Sequence, residues 1–256
     1  MTSPLVQRMQ PFGTSIFAEM TQRAVAADAV NLGQGAPDSG TPRELVEWAH
    51  EAMLEGRNQY PPFLGVPELR EAVAAHQQRF HGLTVDPAQV LVTVGATEAL
   101  TASVLALVEP GEEVVVIEPA YDSYAAAVAL AGGVVRPVPL AMPGLELDLE
   151  ALEAAFSDKT AIVVVNTPHN PTGKQFTREE LAAIGRLAQR YNAVILSDEV
   201  YEHLVYDGGS HLGPAMLPEC ADRTLTVSSA GKTFAVTGWK VGWVHGPQAL
   251  VDAVAK

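Results

Sequence analysis

Polar and aromatic residues follow five short apolar runs of the sequence, each at the point where the run ends. They are Gly95, Ala96, Thr97, Tyr121, Asn170, Asp198, Tyr201, Ser229 and Lys232. An amine can condense with an aldehyde, a carboxylate can keep a ring nitrogen protonated, and an aromatic side chain can stack on a flat ring. Together these residue types suit one kind of ligand, a phosphorylated, nitrogen-containing aromatic aldehyde.

The types and order of these residues predict how such a ligand is held. Free backbone N–H groups at the start of a helix suit a phosphate. We expect the ring to stack on Tyr121 and its nitrogen to pair with Asp198. Asn170 and Tyr201 suit the phenolic oxygen, and Lys232 suits the aldehyde. The ligand that has all of these groups is pyridoxal phosphate.

The apolar runs are typical of β-strands, and helical patterns alternate with them. Strands are predicted at 91–94, 114–117, 134–138, 161–165, 194–196, 224–227 and 241–244, and helices at 16–27, 42–55, 67–80, 97–108, 123–130, 149–156 and 177–191. Thr177 and Glu180 have the spacing of a capping box, which predicts a helix start. The pattern predicts an α/β fold with a mostly parallel seven-stranded sheet flanked by helices. Ligands bind such sheets at the carboxyl ends of the strands.

Composition and charge exclude several classes of protein. The chain has 256 residues, 48% of them hydrophobic, and a net charge of −14. Such an acidic chain is not expected to bind nucleic acid or an anionic membrane. The single cysteine, Cys220, predicts a reducing cytoplasm and a packing role. Residues 1–13 lack a signal-like apolar core, and no run approaches the ~20 residues that span a bilayer.

Other motifs that the sequence suggests are incomplete. Gly231-Lys232-Thr233 resembles the end of a P-loop, but Thr226 stands where that motif requires glycine. A dinucleotide fingerprint starting at Gly33 has Asp38 at its sixth position. There is no Gly-x-Ser-x-Gly elbow, and the seven histidines show no zinc-ligand spacing, so no metal is predicted. For Lys240 two interpretations stay open, a second cation near the phosphate or a solvated strand face.

Seven segments resemble those of a known family. They are NLGQGAPD at 31–38, NQY at 58–60, VTVGATE at 92–98, IEPAYD at 117–122, NTPHNPTG at 166–173, SDEVY at 197–201 and SSAGKTFAVTGWKVGW at 228–243. The chain resembles the class I/II, fold-type I, pyridoxal-phosphate aminotransferases. Within them it is most similar to the kynurenine/glutamine transaminase (cysteine-conjugate β-lyase) group and to the N-succinyldiaminopimelate aminotransferases.

The resemblance implies transamination between an L-amino acid and a 2-oxo acid, with 2-oxoglutarate as the expected acceptor, through a Schiff base on Lys232. The implied phosphate ligands are Gly95, Ala96, Thr97, Ser229 and Lys240, and Asp198, Asn170, Tyr201 and Tyr121 contact the ring. Gly35, Phe17 and Asn170 are expected at the substrate, and Tyr60 is expected to reach the neighbouring subunit's site in a homodimer. Alternatives are a cysteine-conjugate β-lyase, which uses the same residues, and a non-catalytic module of the same fold, for which the N-terminus offers no basic arm.

The sequence departs from the family pattern in two ways. Many relatives have arginine where this chain has Lys240, although the kynurenine-like group also uses lysine. Family members continue into a smaller C-terminal domain that supplies a carboxylate-binding arginine, and this chain ends at Lys256. We therefore expect residues 1–45 to form an N-terminal arm and part of a small domain, and residues 46–256 to form the large cofactor-binding domain of a fragment.

Overall fold

A computed structural model of the chain describes residues 6–35, 37 and 40–256. Asp38 of the rejected fingerprint and residues 1–5 of the expected N-terminal arm lie outside these ranges. The strands are β1 (Val90–Val94), β2 (Glu113–Glu118), β3 (Val134–Pro139), β4 (Thr160–Asn166), β5 (Val194–Asp198), β6 (Thr224–Ser229) and β7 (Val241–His245). The α-helices are α1 (Ile16–Ala26), α2 (Arg43–Leu54), α3 (Pro67–His81), α4 (Gly95–Leu107), α5 (Asp122–Ala131), α6 (Leu149–Ala155), α7 (Arg178–Arg190), α8 (Ala230–Thr233) and α9 (Gln248–Ala255).

The strands form one seven-stranded sheet in the order β1-β7-β6-β5-β4-β2-β3. The pairs β2–β3, β2–β4, β4–β5 and β5–β6 are parallel, whereas β7 runs antiparallel to both β1 and β6. Only residues 230–240 connect β6 to β7, and a parallel connection needs a dozen residues or more. The prediction of a mostly parallel sheet flanked by helices is confirmed, and the direction of β7 follows from this short connection.

The central strands are buried on both faces of the sheet. In β2, Val114 and Val116 pack in a core with α4, α5 and α9, and Val115 and Ile117 pack in a second core with α6 and α7. Successive side chains of a strand point to opposite faces, so an unbroken apolar run requires helices on both sides. This two-sided burial makes the sheet a rigid platform for the residues that follow its strands.

The start of α7 has the predicted capping box. The Thr177 hydroxyl accepts a 3.1 Å hydrogen bond from the N–H of Glu180, and the Glu180 carboxylate accepts a 2.8 Å bond from the N–H of Thr177. Two backbone donors that the helix cannot satisfy internally are thereby paired.

Several other features bear on the predictions from composition. Cys220 is a buried free thiol, and burial raises its pKa to about 11, so it stays protonated as a packing residue.

Helices α1 and α2 have no buried residue, and Trp48 on α2 is 65% exposed. Among the described residues, no helix is both long and apolar enough to cross a membrane.

Candidate active site

A cavity of about 510 Å³ opens where the carboxyl ends of β1, β4, β5 and β6 meet the start of β7. Its lining includes these predicted residues: Phe17, Gly35, Gly95, Ala96, Thr97, Tyr121, Asn170, Asp198, Tyr201, Ser229, Lys232 and Lys240. Tyr60 does not line it and is 99% exposed. The fold therefore brings together residues from every predicted strand-end group, although these groups are far apart in the chain.

Asp198 is the last residue of β5 and is 4% exposed. The Tyr124 hydroxyl donates a 2.6 Å hydrogen bond to its Oδ2 atom, and the N–H of Val200 donates a 3.3 Å bond to Oδ1. Burial raises the pKa of Asp198 to about 6, and these two hydrogen bonds oppose the rise. Above that pH the carboxylate is ionised inside the cavity, where it can pair with a cationic nitrogen.

Asn166 connects the end of β4 to the end of β5. Its side-chain amide donates a 2.9 Å hydrogen bond to the carbonyl oxygen of Asp198, and its Oδ1 accepts a 2.6 Å bond from the N–H of Asn170. The N–H of Thr167 also donates to the Asp198 carbonyl, at 3.1 Å. These bonds hold the Asn170 backbone in register with the buried carboxylate. The sequence analysis missed Asn166, although it opens the NTPHNPTG segment that contains Asn170.

Lys232 lies on the short helix α8, directly after β6. Its half-buried Nζ atom donates a 3.1 Å hydrogen bond to the carbonyl oxygen of Gly35 and lies 5.7 Å from the centre of the Tyr201 ring. Burial lowers the pKa of this amine, which enlarges its neutral, nucleophilic fraction. The bond to Gly35 also shows that the N-terminal segment closes one side of the cavity.

One end of the cavity is suited to an anion. Helix α4 begins at Gly95, whose φ of +75° favours glycine, and the first N–H groups of a helix have no partner within it. The Cε and Nζ atoms of Lys240 lie 3.3 and 3.4 Å from the position that a Cβ atom on Gly95 would take. A helix N-terminus and an ammonium group therefore meet, with Ser229 in the same lining.

Lys240 is exposed and lies next to a strand, not within it. Lys240 has a φ of +57°, in the left-handed region, and directly precedes β7. The two flanking tryptophans differ in their surroundings, because Trp239 belongs to a 3₁₀ turn and is 43% exposed, whereas Trp243 is buried. The backbone turn directs Lys240 towards Gly95.

Aromatic rings form another wall of the cavity. Tyr121 lies between Phe17 and Tyr124, with ring-centre distances of 6.0 Å and 5.8 Å. The Phe17 ring is tilted by 48° to Tyr121, and the Tyr124 ring is nearly perpendicular to it. The sequence analysis missed Tyr124, because a tyrosine in a helical pattern is more often a core residue than a ligand of a carboxylate.

The fold and the cavity define a ligand-binding α/β domain with an amine, a buried carboxylate and an anion pocket at one edge of the sheet. The chain belongs to the aminotransferase class I and II family, whose model matches residues 27–256. The match includes nearly all of the cavity-lining residues, with the exception of the N-terminal ones such as Phe17.

Several relatives of the chain are aminotransferases. The chain is 49% identical to the probable N-succinyldiaminopimelate aminotransferase of Mycobacterium tuberculosis, over 97% of this chain and 64% of that protein. It is 39% identical to the methionine aminotransferase of Escherichia coli, over 99% and 67%, and 39% identical to mouse kynurenine–oxoglutarate transaminase 3, over 96% and 56%. The N-succinyldiaminopimelate and kynurenine enzymes belong to the two groups that the motifs resemble.

Solved structures show the same similarity. The M. tuberculosis N-succinyldiaminopimelate aminotransferase superposes with a TM-score of 0.95 at 49% identity, covering 98% of this chain and 66% of that one. The E. coli methionine aminotransferase superposes with a TM-score of 0.94 at 39% identity, covering 98% and 67%. The chain thus spans about 64% of the length of the first curated relatives that it matches.

Proposed function

We propose that this protein catalyses pyridoxal-phosphate-dependent transfer of an amino group from an L-amino acid to a 2-oxo acid, in the cytoplasm. The observation that carries the proposal is the placement of Lys232 and Asp198 in one cavity. The Lys232 amine has a lowered pKa, the Asp198 carboxylate is buried, and an anion pocket lies beside them. Nucleophilic capture of a carbonyl and stabilisation of a ring cation require this pair of groups.

The residues present fit pyridoxal phosphate. The 4% exposed Asp198 carboxylate has no cationic partner among the described residues, and a protonated pyridine nitrogen would supply one. The cofactor-binding set that we propose is Gly95, Ala96, Thr97, Ser229 and Lys240 for the phosphate, Tyr121 for the ring face, Asn170 and Tyr201 for the phenolic oxygen, Asp198 for the ring nitrogen and Lys232 for the aldehyde carbon. When bound, the cofactor supplies an electron sink for the carbanion that forms at the substrate Cα, and a carbon that accepts the amino group.

Lys232 acts as the proton carrier of the reaction. With the cofactor bound, the free amine of Lys232 would take the proton from the substrate Cα and would return it to the carbon that accepts the amino group. Burial suits the lysine to this role, because a lowered pKa brings a general base closer to neutral pH. The Gly35 carbonyl, 3.1 Å from Nζ, gives the free amine a fixed hydrogen-bond partner.

Asp198 holds positive charge at the ring nitrogen while the carbanion forms. Tyr124 and Val200 donate hydrogen bonds to its two oxygens, so the carboxylate cannot rotate away. Tyr201, whose pKa is raised by burial and by the charge of Asp198, keeps its phenolic proton and can donate it to the cofactor's oxygen.

The substrate side of the site is proposed from the same cavity. Gly35, Phe17 and Asn170 line it and are assigned to the substrate, with Phe17 near its side chain. We assign the 99% exposed Tyr60 to the neighbouring subunit's site in a homodimer. The similarity to kynurenine–oxoglutarate transaminase 3 supports 2-oxoglutarate as the acceptor.

Cofactor attachment is tested by borohydride reduction. The purified chain is incubated with pyridoxal phosphate, reduced, digested and mapped by mass spectrometry. We expect one cofactor per chain on Lys232 and none in Lys232→Ala. Lys159→Ala removes an exposed lysine as the matched control and should label normally. Labelling of Lys232→Ala equal to that of the parent would contradict the assignment.

Amino-group transfer is tested on the protein expressed from its complete reading frame. A panel of L-amino acids is supplied with 2-oxoglutarate, and glutamate is measured. Donor-dependent glutamate that is absent in Lys232→Ala is the expected result. A second assay supplies a cysteine conjugate and no 2-oxo acid, and pyruvate is measured. Pyruvate in this assay, together with no glutamate in the first, would overturn transamination in favour of β-elimination.

A further inference from the structure

A cluster of two histidines and one carboxylate lies outside the cavity. His76 and His81 belong to α3, and Glu202 lies four residues after Asp198. One potential ligand atom of each of His76, His81 and Glu202 lies within 4.8 Å of the other two. His81 and Glu202 are 121 positions apart in the chain, which is why histidine spacing gives no sign of the cluster.

His81 and Glu202 are in direct contact within the cluster. The Nε2 atom of His81 lies 2.6 Å from Oε2 of Glu202. In a tetrahedral zinc site with bonds of about 2.0–2.1 Å, neighbouring ligand atoms are roughly 3.3 Å apart. A bound ion would therefore replace this hydrogen bond and move the two atoms farther apart.

Hydrogen bonds hold the Glu202 carboxylate in the cluster. The Ser228 hydroxyl donates a 2.7 Å hydrogen bond to Glu202 Oε1, and His81 Nε2 contacts Oε2. Hydrogen bonds of this kind orient metal-binding carboxylates.

One nitrogen atom of the cluster has no hydrogen-bond partner among the described residues. This atom is Nδ1 of His81, which is buried. The His81 side chain is 5% exposed, so this polar atom is costly unless it is paired. His203 adds a further imidazole, with its Nε2 atom 2.8 Å from Nε2 of His76.

We propose that His76, His81 and Glu202 bind one divalent transition-metal ion, with Zn²⁺ as the ion best suited to two imidazoles and a carboxylate. Borderline ions of this kind prefer nitrogen and carboxylate ligands, whereas Mg²⁺ and Ca²⁺ prefer oxygen alone. The bound ion joins the C-terminal end of α3 to the segment that follows Asp198. It therefore stabilises the fold behind the cavity and takes no part in the reaction.

The test is a titration of the purified chain with Zn²⁺, followed by calorimetry and by thermal melting. We expect saturation at one ion per chain and a higher melting temperature. In His76→Gln, a half-buried position on α3, binding should weaken by at least about tenfold. His50→Gln removes an exposed histidine of α2 as the matched control and should bind like the parent.

A spectroscopic measurement separates this site from loose surface binding. Co²⁺ replaces Zn²⁺, and its visible absorption reports a low-coordinate nitrogen and oxygen shell. The spectrum should appear in the parent and in His50→Gln, and it should be lost in His76→Gln and in Glu202→Gln, each checked for a native circular dichroism spectrum. No saturable binding, or equal binding by His76→Gln and the parent, would overturn the proposal.

Discussion

Tyr124 on α5 donates a 2.6 Å hydrogen bond to the carboxylate of Asp198 at the end of β5. Both residues are buried, at 5% and 4% exposure. Burial alone destabilises an ionised carboxylate, and a phenol that donates to it offsets part of that cost. The pair thus sets both the orientation of the carboxylate and the pH at which it becomes charged.

Replacement of Tyr124 by phenylalanine tests this pairing. Loss of the phenol removes a contribution that lowers the pKa of Asp198, so that pKa rises further above its present value of about 6. A hydrogen bond to a charged group contributes about 1.5–3 kcal/mol, which corresponds to an upward shift of roughly one to two pH units. We measure the affinity for pyridoxal phosphate from pH 5 to 9. The pH below which the affinity falls should be higher in Tyr124→Phe than in the parent by that amount. Tyr206→Phe, at a 72% exposed position, is the control. If the affinity of Tyr124→Phe falls at the same pH as that of the parent, the pairing is contradicted.

Asp198→Asn should stabilise the cofactor-free chain at alkaline pH. The folded-state pKa of about 6 lies above the ordinary value of 3.8, so the folded chain bears the cost of ionising a buried group above pH 6. This difference corresponds to on the order of 3 kcal/mol, at 1.36 kcal/mol per unit. The cost disappears as the pH falls below about 4, where the Asp198 carboxyl becomes protonated in both the folded and the unfolded chain.

Urea denaturation at pH 8 and pH 4 measures this effect. The free energy of unfolding of Asp198→Asn should exceed that of the parent at pH 8, and most of this difference should be lost at pH 4. Asp158→Asn removes an exposed carboxylate as the control and should change little at either pH. A destabilised Asp198→Asn chain at pH 8 would show that the carboxylate is not held at a cost.

Lys240→Met should weaken binding of the phosphate group while leaving the ring contacts intact. The ammonium group lies beside the N-terminus of α4, and a charge-assisted contact of this kind contributes enough for about a tenfold loss of affinity. Equilibrium binding of pyridoxal phosphate and of pyridoxal, which lacks the phosphate, separates the two effects. Only the first ligand should bind more weakly to Lys240→Met, and Lys159→Met should bind both normally. Equal losses for the two ligands would place Lys240 away from the phosphate.

Gly242→Ala should disturb the anion end of the cavity. A Cβ atom at Gly242 would lie 2.6 Å from the backbone nitrogen of Ala96 and 2.8 Å from Cα of Gly95, so the start of α4 must move. Overpacking of this kind costs about 1–3 kcal/mol. Chemical denaturation should show that loss, together with weaker pyridoxal phosphate binding. Gly238→Ala is the control, since nothing lies within 4 Å of its Cβ position, and equal stability of the two variants would refute the close approach.

Much of this architecture is determined by local sequence. The predicted strand at 194–196 occurs as Val194–Asp198, and the predicted helix at 177–191 occurs as Arg178–Arg190. Apolar β-branched runs, capping residues and the polar residues directly after a strand are contiguous in the chain. For that reason Lys232 and Asp198 could be named as candidates before any three-dimensional information, and the fold places both in one cavity.

Tertiary structure decided which distant groups meet. Asp198 follows a strand whatever the order of the strands in the sheet. Its contact with Tyr124 depends on how α5 packs against that sheet. Likewise, the position of Lys240 beside Gly95 depends on a left-handed turn and on the antiparallel pairing of β7 with β1. Strand order and helix packing arise from burial summed over the whole chain, which no single segment encodes. The sequence by itself determined the chemical groups, whereas packing determined their partners and therefore their protonation.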